Sequence, residues 1–517
     1  MKRWVLVAAM LTTVAFGFRL FLALHLPNDD DDDGRFYSQI ARNLLDHRGY
    51  SGETEEPFVP TYVRVPGYPL FLAGVYSIFG RNKDTAVRII QVLLDTLTCW
   101  LVALLAVAWV PSNYSRENRH RVMLIALALA AICPFNAIYV STILTETWAT
   151  LLVVSLLLLC TTALKSTNKA TPIIWFCAVL VGGMAAMFRP DCAIFSAAVG
   201  LMLLIAGASR IIRRRSTDDP PKLTVIFATT LVWCISLCAG FALALTPWTI
   251  RNERVFGIFQ PVAPKFANMP NEFVPLGYIA WLRTWVDDER YVGPAEDTIG
   301  LYPIDIEKMP ESAFDSAAER EQVQQLLDRY NNPPKPESTN EDEEPPETVL
   351  PRMTAELDSV FRDIAAQRIA RHPFRYYVTL PVERAGSLWF DTHSQYYPFQ
   401  GEIFPLYDLD TDHHQQYWLS LFAGLTWFYT IAGLSGAWVL WRSGSTRWWV
   451  LLLALSILPR LAFLAAQEHP EARYTVEFFP IVAAAGSQAL ASLSFPKGIR
   501  AAMRRIMRRE SAAETDV

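Results

Sequence analysis

Apolar runs of about 20 residues, the length a helix needs to span a hydrocarbon core, recur along the chain. They lie at roughly 3 to 26, 86 to 110, 121 to 140, 144 to 164, 172 to 188, 190 to 209, 223 to 247, 417 to 441, 447 to 466 and 474 to 494. Each predicts a transmembrane helix, ten in all. The first follows Met-Lys-Arg, but it is long for a signal peptide and lacks a small-residue cleavage site before the acidic run, so it reads as a retained anchor. Residues 66 to 80, PGYPLFLAGVYSIFG, are apolar over a shorter stretch and open with two prolines. That segment predicts a juxtamembrane helix lying on or dipping into one leaflet.

The pattern changes between 248 and 416. NNPPKPESTNEDEEPP, 331 to 346, is proline-rich and acidic and predicts an extended or disordered loop. After it, Leu357, Val360, Phe361, Ile364 and Ile369 fall at helical spacing and Pro373 ends the helix. FRYYVTLPVERAGSLWF then mixes aromatics with arginines, a texture suited to the membrane interface. No internal repeat is evident, and the early and late halves show no matching broken helices.

Composition agrees with a membrane body and adds sidedness. The 517 residues are 52% hydrophobic, with 19% charged, 33 prolines and a net charge of −5; the mean hydropathy is +0.19. The stretch 248 to 416 holds 15 Lys and Arg against 29 Asp and Glu, a net of −14, while the rest holds 31 against 22, a net of +9. If 66 to 80 does not cross, the basic loops 111 to 121, 165 to 171, 210 to 222 and 442 to 447 and the basic tail 495 to 517 all fall on the cytoplasmic side with the N-terminus. The outer face then receives the acidic loop 27 to 64, the turns near 141 to 146 and 189, the insert 248 to 416 and the loop QEHPEAR at 467 to 473. This divides the chain into a transmembrane module 1–247, an acidic extracytoplasmic domain 248–416, C-terminal transmembrane helices 417–494 and a cytoplasmic tail. All seven cysteines lie in apolar runs, which excludes a disulfide framework in the aqueous domain. The basic residues form no single stripe, so nothing points to nucleic acid.

Candidate chemistry gathers on the outer side. In NDDDDDGRFYSQIARNLLDHRGYS, 28 to 51, Tyr37, Ile40, Ala41, Leu44 and Leu45 predict an amphipathic helix with Asp33 at its N-terminus, where the dipole favours an anion. An isolated acidic run reads first as a solvated loop; the helix that follows directly changes that balance. Arg64, Arg189, Arg251 and Arg473 stand at the same membrane face, each alone a snorkelling anchor, together a set able to grip phosphate in guanidinium forks. Glu146, in TILTET, adds a carboxylate at that depth, or simply complements a helix dipole. Asp32 and Asp33 could hold a hard divalent cation through oxygen ligands; His469 and the pair His413 and His414 beside Asp410 and Asp412 read more simply as solvated. No GxSxG, Walker loop, HExxH or GxGxxG occurs, against hydrolase, ATPase and dinucleotide classes.

In their order and sidedness these elements resemble the polytopic GT-C glycosyltransferases, in particular the protein O-mannosyltransferases and lipid A aminoarabinose transferases. Asp33-Gly34-Arg35-Phe36-Tyr37 matches the D-x-x-x-Y spacing of that group, ARNLLDHRGYS the following helix and turn, and RVPGYPLFLAGVYSIFG the juxtamembrane piece. TILTETW, FRPD, PWTIRN and RYTVEFFP follow in the expected order. The likeness covers the membrane body, about two thirds of the chain. Two departures stand out. Many relatives carry Asp-Glu where this chain has Asp33-Gly34, so a second acid would come from Glu146 or Asp32. The arginine that precedes the tyrosine directly in the aminoarabinose group is replaced by Phe36, so its phosphate contact does not transfer to Arg35. The basic residue ahead of the proline does transfer, to Arg64.

The apolar pattern together with the resemblance predicts an all-α polytopic, GT-C-like protein of about ten transmembrane helices with juxtamembrane helices, in the cell (inner or plasma) membrane; the extracytoplasmic domain 248–416, expected to be mixed, matches nothing in that family and leaves the acceptor open. The resemblance further implies inverting transfer of a hexose or pentose from a polyprenyl-phosphate carrier to a lipid, glycan or protein acceptor. Asp33 and Glu146 become the candidate catalytic acids, Tyr37, Arg64, Arg189, Arg251 and Arg473 the candidate substrate and phosphate ligands. No cofactor is required by this scheme, although a divalent cation is compatible with it. Two rivals remain at this level: a polyprenyl-lipid transporter or flippase, and a non-enzymatic envelope assembly protein.

Overall fold

The computed structural model describes residues 3–28, 32–111, 114–166, 168–214, 222–297, 299–334, 350–391, 395–399 and 413–493. Most of the predicted loop 331 to 346, Asp29 to Asp31, Asp410, Asp412 and the basic tail lie outside them, as do the side chains of His413 and His414. Helices α1 (Arg3–His25), α2 (Asp32–Leu45), α3 (Gly67–Phe79) and α4 (Asp84–Trp109) open the chain. The run 121 to 140 is two helices, α5 (Arg116–Ile132) and α6 (Pro134–Ala137), and the combined segment bends by 51°. Pro134 explains the break, since it has no N–H to offer the Ala130 carbonyl. Helices α7 (Glu146–Lys165), α8 (Thr171–Phe188), α9 (Ala193–Arg214) and α10 (Leu223–Phe256) complete the first module.

Among the described residues eight helices are long and apolar enough to cross a membrane, nine if the bent pair is one span. The chain is thus an all-α polytopic membrane protein. The tenth expected span corresponds to a shorter apolar helix, Phe478–Ser492, and the segment 66 to 80 to the 13-residue α3, too short to cross. The 34-residue α10 runs through Pro247, where the span was expected to end, so Arg251 sits on a continuing helix.

Small residues let these helices approach. A Cβ at Gly240 of α10 would collide with the backbone of Phe176 in α8. The same device joins the C-terminal pair, where Gly436 abuts the backbone of Ala485.

The insert was expected to be mixed; its described residues hold helices and no strand. Helices α11 (Leu276–Leu282), α12 (Ala317–Asn331) and α13 (Ala355–Arg371) surround a separate core of Tyr278, Trp281, Trp285, Leu327, Leu357 and Phe361. Asp358 of α13 accepts from the backbone N–H groups of Gly277 and Tyr278 at 2.7 and 2.9 Å, meeting the orphan donors at the start of α11. Then come α14 (Leu380–Phe390), α15 (His413–Arg442), α16 (Arg447–Ala465) and α17 (Phe478–Ser492). Buried Arg384 of α14 donates to the carbonyls of Val286 and Arg283 at 2.6 and 2.8 Å, and Arg283 meets Glu468 at 2.5 Å. These bonds fasten the insert to the loop between α16 and α17.

Candidate active site

Asp33 lies in the first turn of α2, and the following loop is folded back onto that helix. Asn43 donates to the carbonyls of Ser51 and Glu53, both at 2.8 Å. Tyr50 donates to the carbonyls of Arg64 and Val65 at 3.0 and 3.1 Å. Gly67 admits the backbone of Met187 where any side chain would clash, which draws the end of α8, and with it Arg189, toward Arg64. The turn before α7 is gripped from α4: Arg88 donates to the Ser141 carbonyl at 3.0 Å and Gln91 to that of Thr142 at 2.8 Å. Glu146 follows directly.

These elements enclose a cavity of about 250 Å³ whose walls include Asp33, Tyr37, Arg64, Glu146, Arg189 and Arg473. Arg64 Nη2 lies 2.6 Å from Asp33 Oδ1, and Arg473 Nη2 lies 3.6 Å from Asp33 Oδ2. Arg189 Nη1 meets Glu146 Oε1 at 2.7 Å; Glu146 Oε2 is buried with no hydrogen-bond partner among the described residues. The ring of Tyr474 lies between the guanidinium groups of Arg189 and Arg473, 5.3 Å from each. Burial alone would lower the pKa of Arg64, but Asp33 and Tyr37 raise it. Burial would likewise lower that of Arg473, which Glu471 and neighbouring phenols lift well above its ordinary value. Both therefore stay charged. Burial, then Asp33, pushes the Tyr37 phenol up, so it stays protonated.

Two expected residues stand elsewhere. Arg251 is outside the cavity wall: it donates to the Thr61 carbonyl at 2.8 Å and lies over the rings of Tyr50, Trp248 and Phe256 at 5.3, 4.9 and 5.1 Å. The helical continuation past Pro247 turns it onto that aromatic cluster. Asp32, with a side chain 97% exposed, pairs with Arg35 at 3.2 Å instead of joining Asp33. Among the described residues no group of three or more His, Cys, Asp or Glu is placed to hold a metal. Gly34 also has a local reason. A Cβ there would stand 3.1 Å from the Ile143 carbonyl oxygen, so an acid at this position would start out against an acceptor. Of the two alternatives for a second carboxylate, only Glu146 reaches the cavity.

Several neighbours were not singled out from the sequence, and His469, read there as solvated, is instead held between two carboxylates. Asp191 lines the cavity, as does exposed Lys265 from the insert. Buried Arg460 of α16 binds Asp191 at 2.6 Å and Glu477 at 2.8 Å. Glu471 holds Arg473 Nε at 2.7 Å, and His469 lies 3.4 Å from Glu471 and 3.8 Å from Glu296. Burial alone would lower His469, but those carboxylates push it up to about 10. Burial would raise Glu471, yet Arg473 and His469 hold it down to about 2. Burial and the nearby Glu471 lift Glu289 of the insert to about 8. Arg460, like Arg19, stands out in the sequence as a charge within an apolar run; such a charge demands partners, and FRPD and RYTVEFFP contain those of Arg460.

A family model described as dolichyl-phosphate-mannose-protein mannosyltransferase matches residues 60–236. Over those residues the membrane body is similar to a glycosyltransferase family domain. The matched segment contains Arg64, Glu146, Arg189 and Asp191; Asp33 precedes it and Arg473 follows it. No curated protein and no solved structure matched the chain.

Proposed function

We propose that the protein transfers a sugar, mannose being the first candidate, from a polyprenyl-phosphate carrier to an acceptor at the extracytoplasmic face of the cell membrane, with both termini cytoplasmic. The observation that carries this reading is the meeting of Asp33 with Arg64 and Arg473 in a cavity that also holds Glu146 and Arg189. A carboxylate able to take a proton thus stands beside cations able to stabilise a leaving phosphate. Asp33 accepts the proton of an acceptor hydroxyl or amine. As that atom bonds to the anomeric carbon, the carbon–oxygen bond to phosphate breaks and its electron pair leaves with the polyprenyl phosphate. A single displacement inverts the anomeric centre. Arg64, Arg473 and Arg189 meet the departing charge, Glu146 orients Arg189 and offers its open oxygen to the acceptor, and Tyr37 lines the wall beside Asp33. This scheme gives a divalent cation no required role.

The transporter reading loses ground because the ionisable wall residues sit at helix ends, whereas transporter sites cluster near the bilayer midplane. The test is turnover of a polyprenyl-phosphate mannose by purified protein, with extracted cell lipids as acceptors and products read by mass spectrometry. Asp33→Asn should abolish turnover while the protein remains folded. Full turnover in that variant would remove Asp33 as the base. Arg64→Gln should weaken donor use far more than it lowers the melting temperature, and equal losses would mark Arg64 as a structural anchor.

A further inference from the structure

A second and larger cavity, of about 460 Å³, lies at the far end of α7. Glu146, in the candidate active site, begins this helix and Lys165, in the second cavity, ends it. Twenty helical residues rise about 28 Å, close to the roughly 30 Å thickness of a hydrocarbon core. The two cavities therefore open toward opposite faces of the membrane, whichever face is cytoplasmic.

The second cavity is built where the ends of α4, α7 and α9 meet the starts of α5 and α16. Arg119, Lys165, Arg210 and Arg213 contribute to its wall, with Trp448 and Trp449, and no Asp or Glu does among the described residues. Basic residues at helix ends are ordinary on a cytoplasmic face. Ordinary anchors splay toward the headgroups separately, whereas these four come from three helices to one recess within the size range of ligand pockets. Lys165 is partly committed, since its ammonium donates to the Ala108 carbonyl and lies 5.2 Å from the Trp449 ring. The Arg210 guanidinium lies over Trp233 at 4.3 Å, a contact that fixes its plane and leaves its edge for hydrogen bonding. Four cationic groups converging on one recess give an anion placed between them a favourable Coulomb energy. Guanidinium groups select phosphate through paired hydrogen bonds. Exposed Ile211 and Ile212 of α9 border the arginines, so an acyl chain could lie on α9 while its headgroup enters.

We propose that this cavity is a phosphate-binding site on the membrane face opposite the candidate active site, taking the headgroup phosphate of an anionic membrane lipid or the phosphate of a soluble ester. The proposal does not depend on the glycosyl-transfer reading. Its test uses the full chain in detergent and native mass spectrometry, with phosphatidylglycerol, phosphatidylcholine and glycerol 3-phosphate as probes. The wild-type protein should retain phosphatidylglycerol in preference to phosphatidylcholine. Arg119→Gln/Arg210→Gln should lose roughly thirtyfold of that preference, as expected for two basic residues near an anionic headgroup, at an unchanged melting temperature. Arg210→Lys, which keeps the charge but loses the paired hydrogen bonds, should fall between the wild type and the double variant at an unchanged melting temperature, so a fold defect and a lost ligand are separable. Retention of phosphatidylglycerol in millimolar glycerol 3-phosphate assigns a lipid source; displacement sensitive to the arginine variants assigns a soluble one. Equal retention of both lipids by the wild type without glycerol 3-phosphate binding overturns the proposal. Equal preference in the wild type and the double variant does so too.

Discussion

Arg19 lies in the C-terminal half of α1 and is only 1% exposed, and Asp95 of α4 is 2% exposed. Their atoms Nε and Oδ2 are 2.5 Å apart. The guanidinium also donates to the carbonyls of Ala130 and Ala131 at 3.0 and 2.9 Å, at the bend between α5 and α6. Ala130 is the carbonyl that Pro134 cannot serve, so Arg19 replaces a backbone donor that the proline removed. Arg19→Met leaves Asp95 buried and unpaired, costing about 3–5 kcal/mol, and strips donors from two buried carbonyls at about 1–3 kcal/mol each. Asp95→Leu incurs only the first kind of cost, because the guanidinium keeps both carbonyls. Arg19→Met/Asp95→Leu removes both charges and should recover about 3–5 kcal/mol relative to Arg19→Met alone, leaving the carbonyl deficit. The assay is unfolding by sodium dodecyl sulfate titration in mixed micelles, followed by circular dichroism. A double variant no more stable than Arg19→Met would refute the account of Arg19 as an ion-paired bend cap. Because the bend leads into the turn that presents Glu146, Arg19→Met should also depress glycosyl transfer in the surviving folded fraction.

The loop between α16 and α17 should make stability fall on the alkaline side. His469, raised from 6.5 to about 10, contributes stability that is complete below about pH 6.5 and lost as pH rises through about 10; Glu471, held at about 2, contributes above about pH 4.5 and loses it only in strong acid. Melting temperatures from pH 6 to 10 should therefore decline more steeply in wild type than in His469→Gln, and parallel curves would contradict this. Arg251→Gln should lower the melting temperature, through loss of the Thr61 bond and three ring contacts, while donor KM stays within about twofold; a large rise in KM would return Arg251 to the site. Chelation by EDTA should leave turnover intact, and a loss restored by magnesium or manganese would give a metal a role.

The spans were legible because burying 20 backbone amides in hydrocarbon imposes a long apolar run, and among the described residues eight of the ten runs have a helix of spanning length, a ninth being a bent pair and the tenth a shorter helix. Pro134 announces a break in the run, but the 51° angle was not legible, because a proline does not by itself set how far the two pieces turn. Sidedness brought Asp33, Arg64, Arg189 and Arg473 to one depth, yet depth does not specify a helix face. Arg251 shares the depth and faces an aromatic cluster instead, a distinction made by Tyr50 and Phe256 packing around Trp248. What a one-dimensional reading misses most is the second half of each charge pair. Arg64 is matched by Asp33, Arg189 by Glu146 and Arg473 by Glu471, and only Glu471 and Arg473 are near in sequence. That matching bears on mechanism. Arginines held at membrane depth without an anion would be costly, so internal carboxylates hold them when no substrate is bound. On the glycosyl-transfer reading, a donor phosphate then exchanges an internal ion pair for one with the ligand. Drawing Arg64 and Arg473 toward phosphate frees the Asp33 carboxylate to accept a proton, so the base becomes available only once the donor is in place.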